Sequence, residues 1–522
     1  MSETASTARR STIEVRNPAD GTVVGAVPNE PAEAVAAKAR ELRLFQPEWE
    51  RIGPKGRRRW RWLLKFQDWI LDNTEHIVAV LQSETGKTHL DASSEPPICA
   101  DMLNYWAGNA EKFLADTHPK MRTPIGVAKK LTALYRPYPV VGVITPWNFP
   151  FFNPGVDGIP ALAAGAAVLL KPSEATPLSA AEFVRGWTEI GAPPVLTLVT
   201  GFGETGTAVV ANADFVQFTG STATGRKVAR QCAERLIPYS LELGGKDPAL
   251  VLADADLDRA ASGIVWGGLY NSGQVCTSVE RIYVEEPVYD EFLAKLTKTV
   301  QGLTQGQDGR RPEFDVGAMA TAEQRDIVRR HVDEALAAGA RVATGGKPTG
   351  VGTFFEPTVL VDVKRSMSCM TEETFGPTLP VVKVADEAEA IRLANDSVYG
   401  LSASVWTRDK DRGERVARQL DVGAVNINDA LTNTSLCAIP MGGWKQSGVG
   451  ARHGGASGLL KFCRQQAITV PRIPTQSKEL HWYPSSPRKV KFAYGLMRAA
   501  AAHGLRRFGI TPRAARTESS LR

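Results

Sequence analysis

Val140-Val141-Gly142-Val143-Ile144-Thr145-Pro146-Trp147-Asn148 decides the fold class, because it is an unbroken apolar run that stops on small and polar residues. A strand with one wet face would alternate apolar and polar side chains. A run without alternation belongs to a strand buried on both faces, as in a parallel sheet with helices on either side. The pattern recurs at Ala167–Leu170, Val195–Thr200, Phe215–Thr219 and Tyr239–Leu243, with helical stretches between. Each strand ends on a suggestive cluster: Pro146-Trp147-Asn148, Lys171-Pro172-Ser173-Glu174, Gly201-Phe202-Gly203, Gly220-Ser221 and, on the last, Glu242. A doubly wound sheet binds ligands outside the carboxyl ends of its strands, so the five clusters are expected around one crevice.

Outward from this block, residues 248–428 repeat the alternation, with strands expected near Arg281–Glu286, Arg341–Thr344, Pro357–Val363, Pro380–Val384, Ser402–Thr407 and Ala424–Ile427. They form a second α/β domain. The first hundred residues read mostly as helices, at Pro31–Arg43 and Gly56–Asn73. Within the latter, Gly56-Arg57-Arg58-Arg59-Trp60-Arg61-Trp62 mixes basic and aromatic residues as a nucleic-acid patch would. It runs straight into Leu63, Leu64, Phe66, Trp69 and Ile70 at helical spacing, which favours an amphipathic core helix.

The chain has 522 residues, 43% hydrophobic and 23% charged, enough for two or three domains. No apolar run approaches about 18 residues, so no membrane-spanning helix is expected. Met1–Thr12 lacks the apolar core of a secretory signal, and the expected compartment is the cytoplasm. Six cysteines (Cys99, Cys232, Cys276, Cys369, Cys437, Cys463) stand far apart without metal-ligand spacing, so reduced thiols and no metal site are expected. The net charge of +6 is unevenly placed: residues 478–522 hold ten Lys/Arg and two Glu, leaving the preceding residues at −2. Basicity therefore belongs to a tail and not to a nucleic-acid surface on the body.

Four local features carry chemistry. Gly201-Phe202-Gly203-Glu204-Thr205-Gly206 fits G-x-G-x-x-G between a strand and a helix, but Arg226 stands where the fingerprint has an acid. A plain turn and a supporting role near a cofactor both fit. Phe218-Thr219-Gly220-Ser221 opens another helix, whose free N–H groups and Ser221 hydroxyl suit a pyrophosphate. Cys276, in Asn271-Ser272-Gly273-Gln274-Val275-Cys276-Thr277, lies on a polar loop and is a better nucleophile candidate than Cys232 or Cys463. Glu242 is a carboxylate at an apolar strand end, a costly placement that suits proton transfer.

With these residues in view the chain resembles the aldehyde dehydrogenase superfamily. The resemblance rests on Thr145-Pro146-Trp147-Asn148-Phe149-Pro150, Lys171-Pro172-Ser173-Glu174, Phe218-Thr219-Gly220-Ser221, Leu241-Glu242-Leu243-Gly244-Gly245-Lys246, Gly273-Gln274-Val275-Cys276, Glu372-Glu373-Thr374-Phe375-Gly376-Pro377, Tyr399-Gly400-Leu401 and Gly423-Ala424-Val425-Asn426-Ile427-Asn428, in family order over about residues 12–472. It implies an α/β fold with a doubly wound parallel-sheet NAD(P)-binding domain (12–118 and 139–245) and a second α/β catalytic domain (246–457). A small β oligomerisation element (119–138, as a hairpin, and 458–472) and a basic C-terminal tail (473–522) complete the expected organisation.

The resemblance also implies a mechanism. Cys276 attacks the aldehyde, Asn148 and the Cys276 N–H hold the oxyanion, and Glu242 activates the water that hydrolyses a thioester. Cofactor contacts are implied for Trp147, Lys171, Ser173, Glu174, Gly203, Gly220, Ser221, Glu373 and Phe375, and a supporting position for Asn428. Glu174 favours NAD by repelling a 2′-phosphate, with NADP possible through Lys171 and Ser173. Phe149, Phe151, Phe152 and the Trp266–Tyr270 segment suit an apolar or aromatic aldehyde. The end, Pro440-Met441-Gly442-Gly443-Trp444 through Gly454, is similar to a subset often assigned as succinate-semialdehyde dehydrogenases, with Arg281 as a candidate for a substrate carboxylate or for pairing with Glu280. A non-catalytic protein retaining the fold is the competing class. A homo-oligomer, dimer or tetramer, is expected. Within the tail, a helix over 487–508 would align Val490, Tyr494, Met497, Ala501, Leu505 and Phe508 against basic residues, a pattern that suits an anionic membrane surface or docking on the protein's own oligomer.

Overall fold

The computed structural model describes residues 11–53, 58–121, 124–472 and 482–508. The readings that rest on residues 1–10, on Gly56-Arg57 and on 473–481 and 509–522 lie outside them. The described chain falls into two compact units, Met1–Phe113 with Pro137–Cys463, and Leu114–Arg136 with Arg464–Arg522.

In the larger unit, strands β1 (Thr12–Arg16) and β2 (Val23–Pro28) make an antiparallel pair that the reading of this region as mostly helical missed. Only Ile13 and Val15 of β1 are buried, a two-residue alternation too short to stand out in sequence. Helix Ala32–Ile52 follows, and Trp60–Asp72 buries Leu63, Phe66 and Ile70, as the amphipathic reading expected. Arg59, which looked like part of a basic patch, is 3% exposed and donates to the carbonyls of Trp49, Glu50 and Ala163.

In the smaller unit, β3 (Lys129–Pro137) pairs with Cys463–Pro471 in a two-stranded sheet. The expected hairpin over 119–138 is, among the described residues, one strand with a single isolated bridge from Thr117 to Ala133. The expected strand near 459 begins later, because Ala456–Leu460 is a short helix.

The first α/β sheet contains β4 (Val140–Ile144), β5 (Ala167–Lys171), β6 (Leu196–Leu198), β7 (Phe215–Thr219) and β8 (Tyr239–Glu242). Its order is β8-β7-β4-β5-β6, all parallel, with the two-residue strand Gly448–Val449 added antiparallel on β8. Every residue of β4, β5 and β7 is buried, which is why their sequences do not alternate. Gly142 lets helix Gly203–Asn212 lie close, since a Cβ there would meet Val209 at 2.8 Å. The chain leaves β4 toward β5 and β6 and returns on the other side as β7 and β8. The switch point is therefore between β4 and β7.

The second sheet contains β9 (Asp247–Val251), β10 (Val279–Glu285), β11 (Arg341–Thr344), β12 (Thr358–Val361), β13 (Thr378–Val384), β15 (Ser402–Trp406) and β16 (Ala424–Ile427), with the two-residue β14 (Tyr399–Gly400) outside it. Its order is β11-β12-β13-β10-β9-β15-β16, parallel except for β11. Along β9, Ala249 and Val251 enter one apolar core while Leu250 and Leu252 enter another. The sheet is thus covered on both faces. No helix among the described residues is long and apolar enough to cross a membrane.

Candidate active site

Strand register creates the centre. Asp247 of β9 pairs with Val279 of β10. Glu242 lies five residues before the first and Cys276 three before the second, so both arrive at the same edge of the second sheet. Between them Gly245 allows a close approach, because a Cβ there would sit 2.4 Å from the Cys276 carbonyl oxygen. Cys276, Glu242, Asn148, Trp147, Gly220, Ser221, Glu373 and Phe375 all line one cavity of about 630 Å³.

Asn148 follows β4 at the switch point. Its side-chain Nδ2 donates to the Gln274 carbonyl at 2.9 Å, and its Oδ1 accepts from Asn153 Nδ2 at 3.3 Å. Its main-chain carbonyl accepts from Lys87 Nζ and from Asn271 Nδ2, both at 3.0 Å. Lys87 is bound to Glu95 at 2.6 Å, and the other Glu95 oxygen accepts from the N–H groups of Phe151 and Phe152. The Asn148–Phe152 turn is therefore tied at both ends to one buried ion pair. The loop before Cys276 is also constrained: Asn271 and Ser272 hold left-handed φ values of 52° and 56°, which cost energy in non-glycine residues. Ser272 Oγ anchors to the Gly317 carbonyl and Gln274 Oε1 to the Ala320 N–H, both at 2.9 Å.

Electrostatics distinguish the titratable groups. Burial pushes the Glu242 carboxyl up to about 7, opposed by Arg452 and Lys461 and reinforced by Asp157. Both of its oxygens are buried without a protein partner among the described residues. Burial pushes the half-buried Cys276 thiol up to about 12, with Arg452 opposing and Asp247, Glu373 and Glu242 adding to the rise. Burial, then Glu280, raises Glu373 to about 8 although it accepts from the Gly245 N–H at 3.0 Å.

The other expected cofactor residues form a second group on the β5–β6 side of the switch point and do not line this cavity. Lys171 Nζ donates to the Pro172 carbonyl at 2.9 Å and lies 3.7 Å from the Glu174 carboxylate, which is 44% exposed. Ser173 Oγ accepts from the Ala175 N–H. Gly203 is the first residue of helix Gly203–Asn212, with open space where a side chain would be. Of the five strand-end clusters, three line the cavity, and the Lys171–Glu174 and Gly201–Gly203 clusters do not. Ser221 caps helix Thr222–Glu234 by accepting from the Thr224 N–H at 3.3 Å. Trp147 and Phe375 meet edge to face at 5.3 Å on the cavity wall. An exposed carboxylate beside an ammonium, two helix starts and an aromatic wall are chemistry that would suit an NAD(P) dinucleotide.

One sequence expectation needs correction. Arg281 serves neither substrate nor Glu280: it is 2% exposed and donates to the carbonyls of Lys246, Leu393 and Ala394, while Glu280 pairs with Lys246 at 2.5 Å. Asn428, for which the resemblance implies a supporting position, lies outside the cavity lining and clamps β15 to β16, with its side-chain amide bonded to both main-chain groups of Thr407. Sequence reasoning also missed Arg452, Lys87 with Glu95, and the Leu431–Ser435 wall. No local motif marks them, because each comes from a remote segment.

Residues 4–468 match the aldehyde dehydrogenase family. Among curated proteins, a 4,4'-diapolycopene aldehyde oxidase of Methylomonas sp is 41% identical over 91% of this chain and 89% of its own length. A Mycolicibacterium smegmatis protein provisionally named succinate-semialdehyde dehydrogenase [NADP(+)] is 42% identical over 86% of each chain. Among solved structures, the NAD+ complex of a Bacillus cereus aldehyde dehydrogenase is 34% identical with a TM-score of 0.84, covering 88% of this chain and 94% of that one.

Proposed function

Because this chain belongs to the aldehyde dehydrogenase family and oxidises aldehydes with NAD(P), we propose that Cys276 is its nucleophile, Asn148 its oxyanion donor and Glu242 its general base. The Cys276 thiolate adds to the carbonyl carbon to give a tetrahedral adduct. Its oxyanion is met by the Asn148 amide and the Cys276 N–H. The bound nicotinamide supplies the hydride acceptor. Loss of hydride from the adduct leaves a thioester on Cys276, and Glu242 takes a proton from the water that hydrolyses it. Lys171, Ser173, Glu174 and Gly203 would hold the adenosine end, Gly220 and Ser221 the pyrophosphate, and Trp147, Glu373 and Phe375 the nicotinamide end. The exposed Glu174 carboxylate favours NAD over NADP.

The substrate we propose is an apolar aldehyde, and the cavity lining carries this reading. Leu90, Ile98, Phe149, Phe152, Trp266 and Tyr270 provide an apolar wall. Arg452 is the one cation among the lining residues, and an ω-carboxylate on the substrate would have to share it with Asp157. The relative named for 4,4'-diapolycopene aldehyde supports the same direction. The name of the mycobacterial relative supports succinate semialdehyde instead. Absorbance at 340 nm over a panel of alkyl, aromatic, polyene and ω-carboxy aldehydes decides between them. A kcat/KM for succinate semialdehyde above that of every apolar aldehyde refutes the apolar reading.

The coenzyme and catalytic domains divide at residue 245 in this reading, and 119–138 with 458–472 joins protomers of a dimer or tetramer. An exposed two-stranded sheet is marginal alone and gains from pairing with another copy. The enzyme works in the cytoplasm with its tail on the inner membrane surface. Helix Pro487–Ala501 starts at a Ser486 cap with Pro487 in its first position, and exposes Val490, Phe492, Tyr494 and Met497 among Arg488, Lys489, Lys491 and Arg498. The single helix expected over 487–508 is instead broken at Ala502, which is extended, and Gly504–Phe508 forms a separate 3-10 turn after a left-handed Gly504.

A further inference from the structure

Behind Glu242 lies a buried ion pair with no part in the steps above. Arg452 donates through Nε and Nη2 to the two oxygens of Asp157 at 3.2 and 2.6 Å, and through Nη2 to Thr219 Oγ1 at 2.5 Å. Thr219 in turn donates to Asp157 at 3.2 Å. Asp157 has no exposure and Arg452 is 2% exposed. Thr219 is the register partner of Glu242 on the adjacent parallel strand, so their side chains share a face of the sheet. The guanidinium is thus clamped beside a carboxylate whose two oxygens have no hydrogen bond among the described residues. Arg452 reaches the cavity together with Glu242 and Cys276, and its Nη1 has no protein acceptor among the described residues.

We propose that Arg452 is a positioning residue for both reacting groups: held by Asp157 and Thr219, it is the fixed positive charge against which the Cys276 thiolate and the Glu242 carboxylate are formed. This rests on the roles given to Cys276 and Glu242 above. The charges facing the thiol are Arg452, Asp247, Glu373 and Glu242, so three of four are acids and the arginine alone favours the thiolate. Those facing Glu242 are Arg452, Lys461 and Asp157. Lys461 is already engaged, donating to Gln217 Oε1 at 2.7 Å and the Ala451 carbonyl at 2.6 Å. A guanidinium keeps its charge across the working pH range, so the counter-charge does not vary as the base gains and loses its proton.

The test measures iodoacetamide alkylation of Cys276 against pH in full-length protein, with Cys276→Ala as the control for background labelling of the other five cysteines, alongside burst and steady-state NADH formation. Arg452→Met is expected to move the alkylation profile upward by about one pH unit or more, a tenfold loss of rate at fixed pH. It should lower kcat with little change in KM for the cofactor. Because Arg452→Met leaves Asp157 buried and uncompensated, the charge-neutral double variant Asp157→Asn/Arg452→Met is measured beside it and should show the same shift. Should neither fold, Arg452→Lys, which keeps the charge but loses the fork, is expected to hold the wild-type alkylation profile with a lowered kcat. An unmoved profile in the methionine variants, or an unchanged kcat in the lysine variant, overturns the proposal. An active Cys276→Ala protein would instead overturn the underlying nucleophile assignment.

Discussion

Lys87 donates to the main-chain carbonyl of Asn148 at 3.0 Å and to Glu95 at 2.6 Å, with both partners of the ion pair only 1% exposed. One buried cation therefore fixes the turn that carries Asn148, the proposed oxyanion donor. Lys87→Met leaves Glu95 charged and unpaired, and loss of one partner from such a pair costs about 3–5 kcal/mol. The denaturation midpoint should fall accordingly. The residual folded enzyme should show reduced kcat with Cys276 still open to alkylation.

Removing the two reacting groups should produce different kinetics. Cys276→Ala is expected to form no NADH with any aldehyde. Glu242→Gln is expected to give a single-turnover burst and then stall, since acylation survives and hydrolysis does not. Rapid-mixing absorbance at 340 nm separates the two, and an unchanged steady-state rate in the glutamine variant removes Glu242 as base.

The raised Glu242 carboxyl carries a stability signature with a definite sign. Its folded value near 7 stands above the ordinary carboxyl value of 4.5, so the fold favours the protonated form. That contribution is complete below pH 4.5 and is lost as pH rises through about 7. Glu242→Gln, which remains neutral, should match wild-type Tm at pH 5 and exceed it at pH 8. Thermal melts of the cofactor-free protein at the two values check this, and a gap that closes with rising pH contradicts it.

For the tail, wild-type protein should co-sediment with phosphatidylserine-containing liposomes at low salt and less with neutral ones, because each Lys/Arg near such a surface adds about 1 kcal/mol. Deleting residues 478–522 should abolish binding and leave aldehyde oxidation intact. A deletion that keeps liposome binding and breaks the oligomer marks the segment as a structural arm.

What could be read from sequence was what a single strand or loop decides. Val140–Ile144 announces a doubly covered strand because every residue in it is buried. Cys276 and Glu242 stand out because each is a reactive group in surroundings that do not suit its type. The Arg452–Asp157 pair joins residues 295 positions apart, and nothing in either neighbourhood reveals the other. β9 is missed because Pro248-Ala249-Leu250-Val251 follows closely on two glycines and a lysine and reads as the start of a domain rather than as an interior strand of its sheet. Arg281 misled because its charge suggested exposure, whereas carbonyls supplied by the 393–394 helix end satisfy it in the interior.

The edge of the first sheet has a consequence for how the enzyme is made. Glu242 pairs through its backbone with Gly448, and Arg452 and Lys461 lie beyond that contact. Synthesis proceeds from the N-terminus, and apart from the Gly448–Val449 edge strand both α/β sheets are complete in sequence by Ile427. A nascent chain at that point holds Cys276 and Asn148 but lacks the strand and the two cations around Glu242. Competence for turnover is therefore one of the last properties the polypeptide acquires on the ribosome, after the folding of the sheets on which it depends.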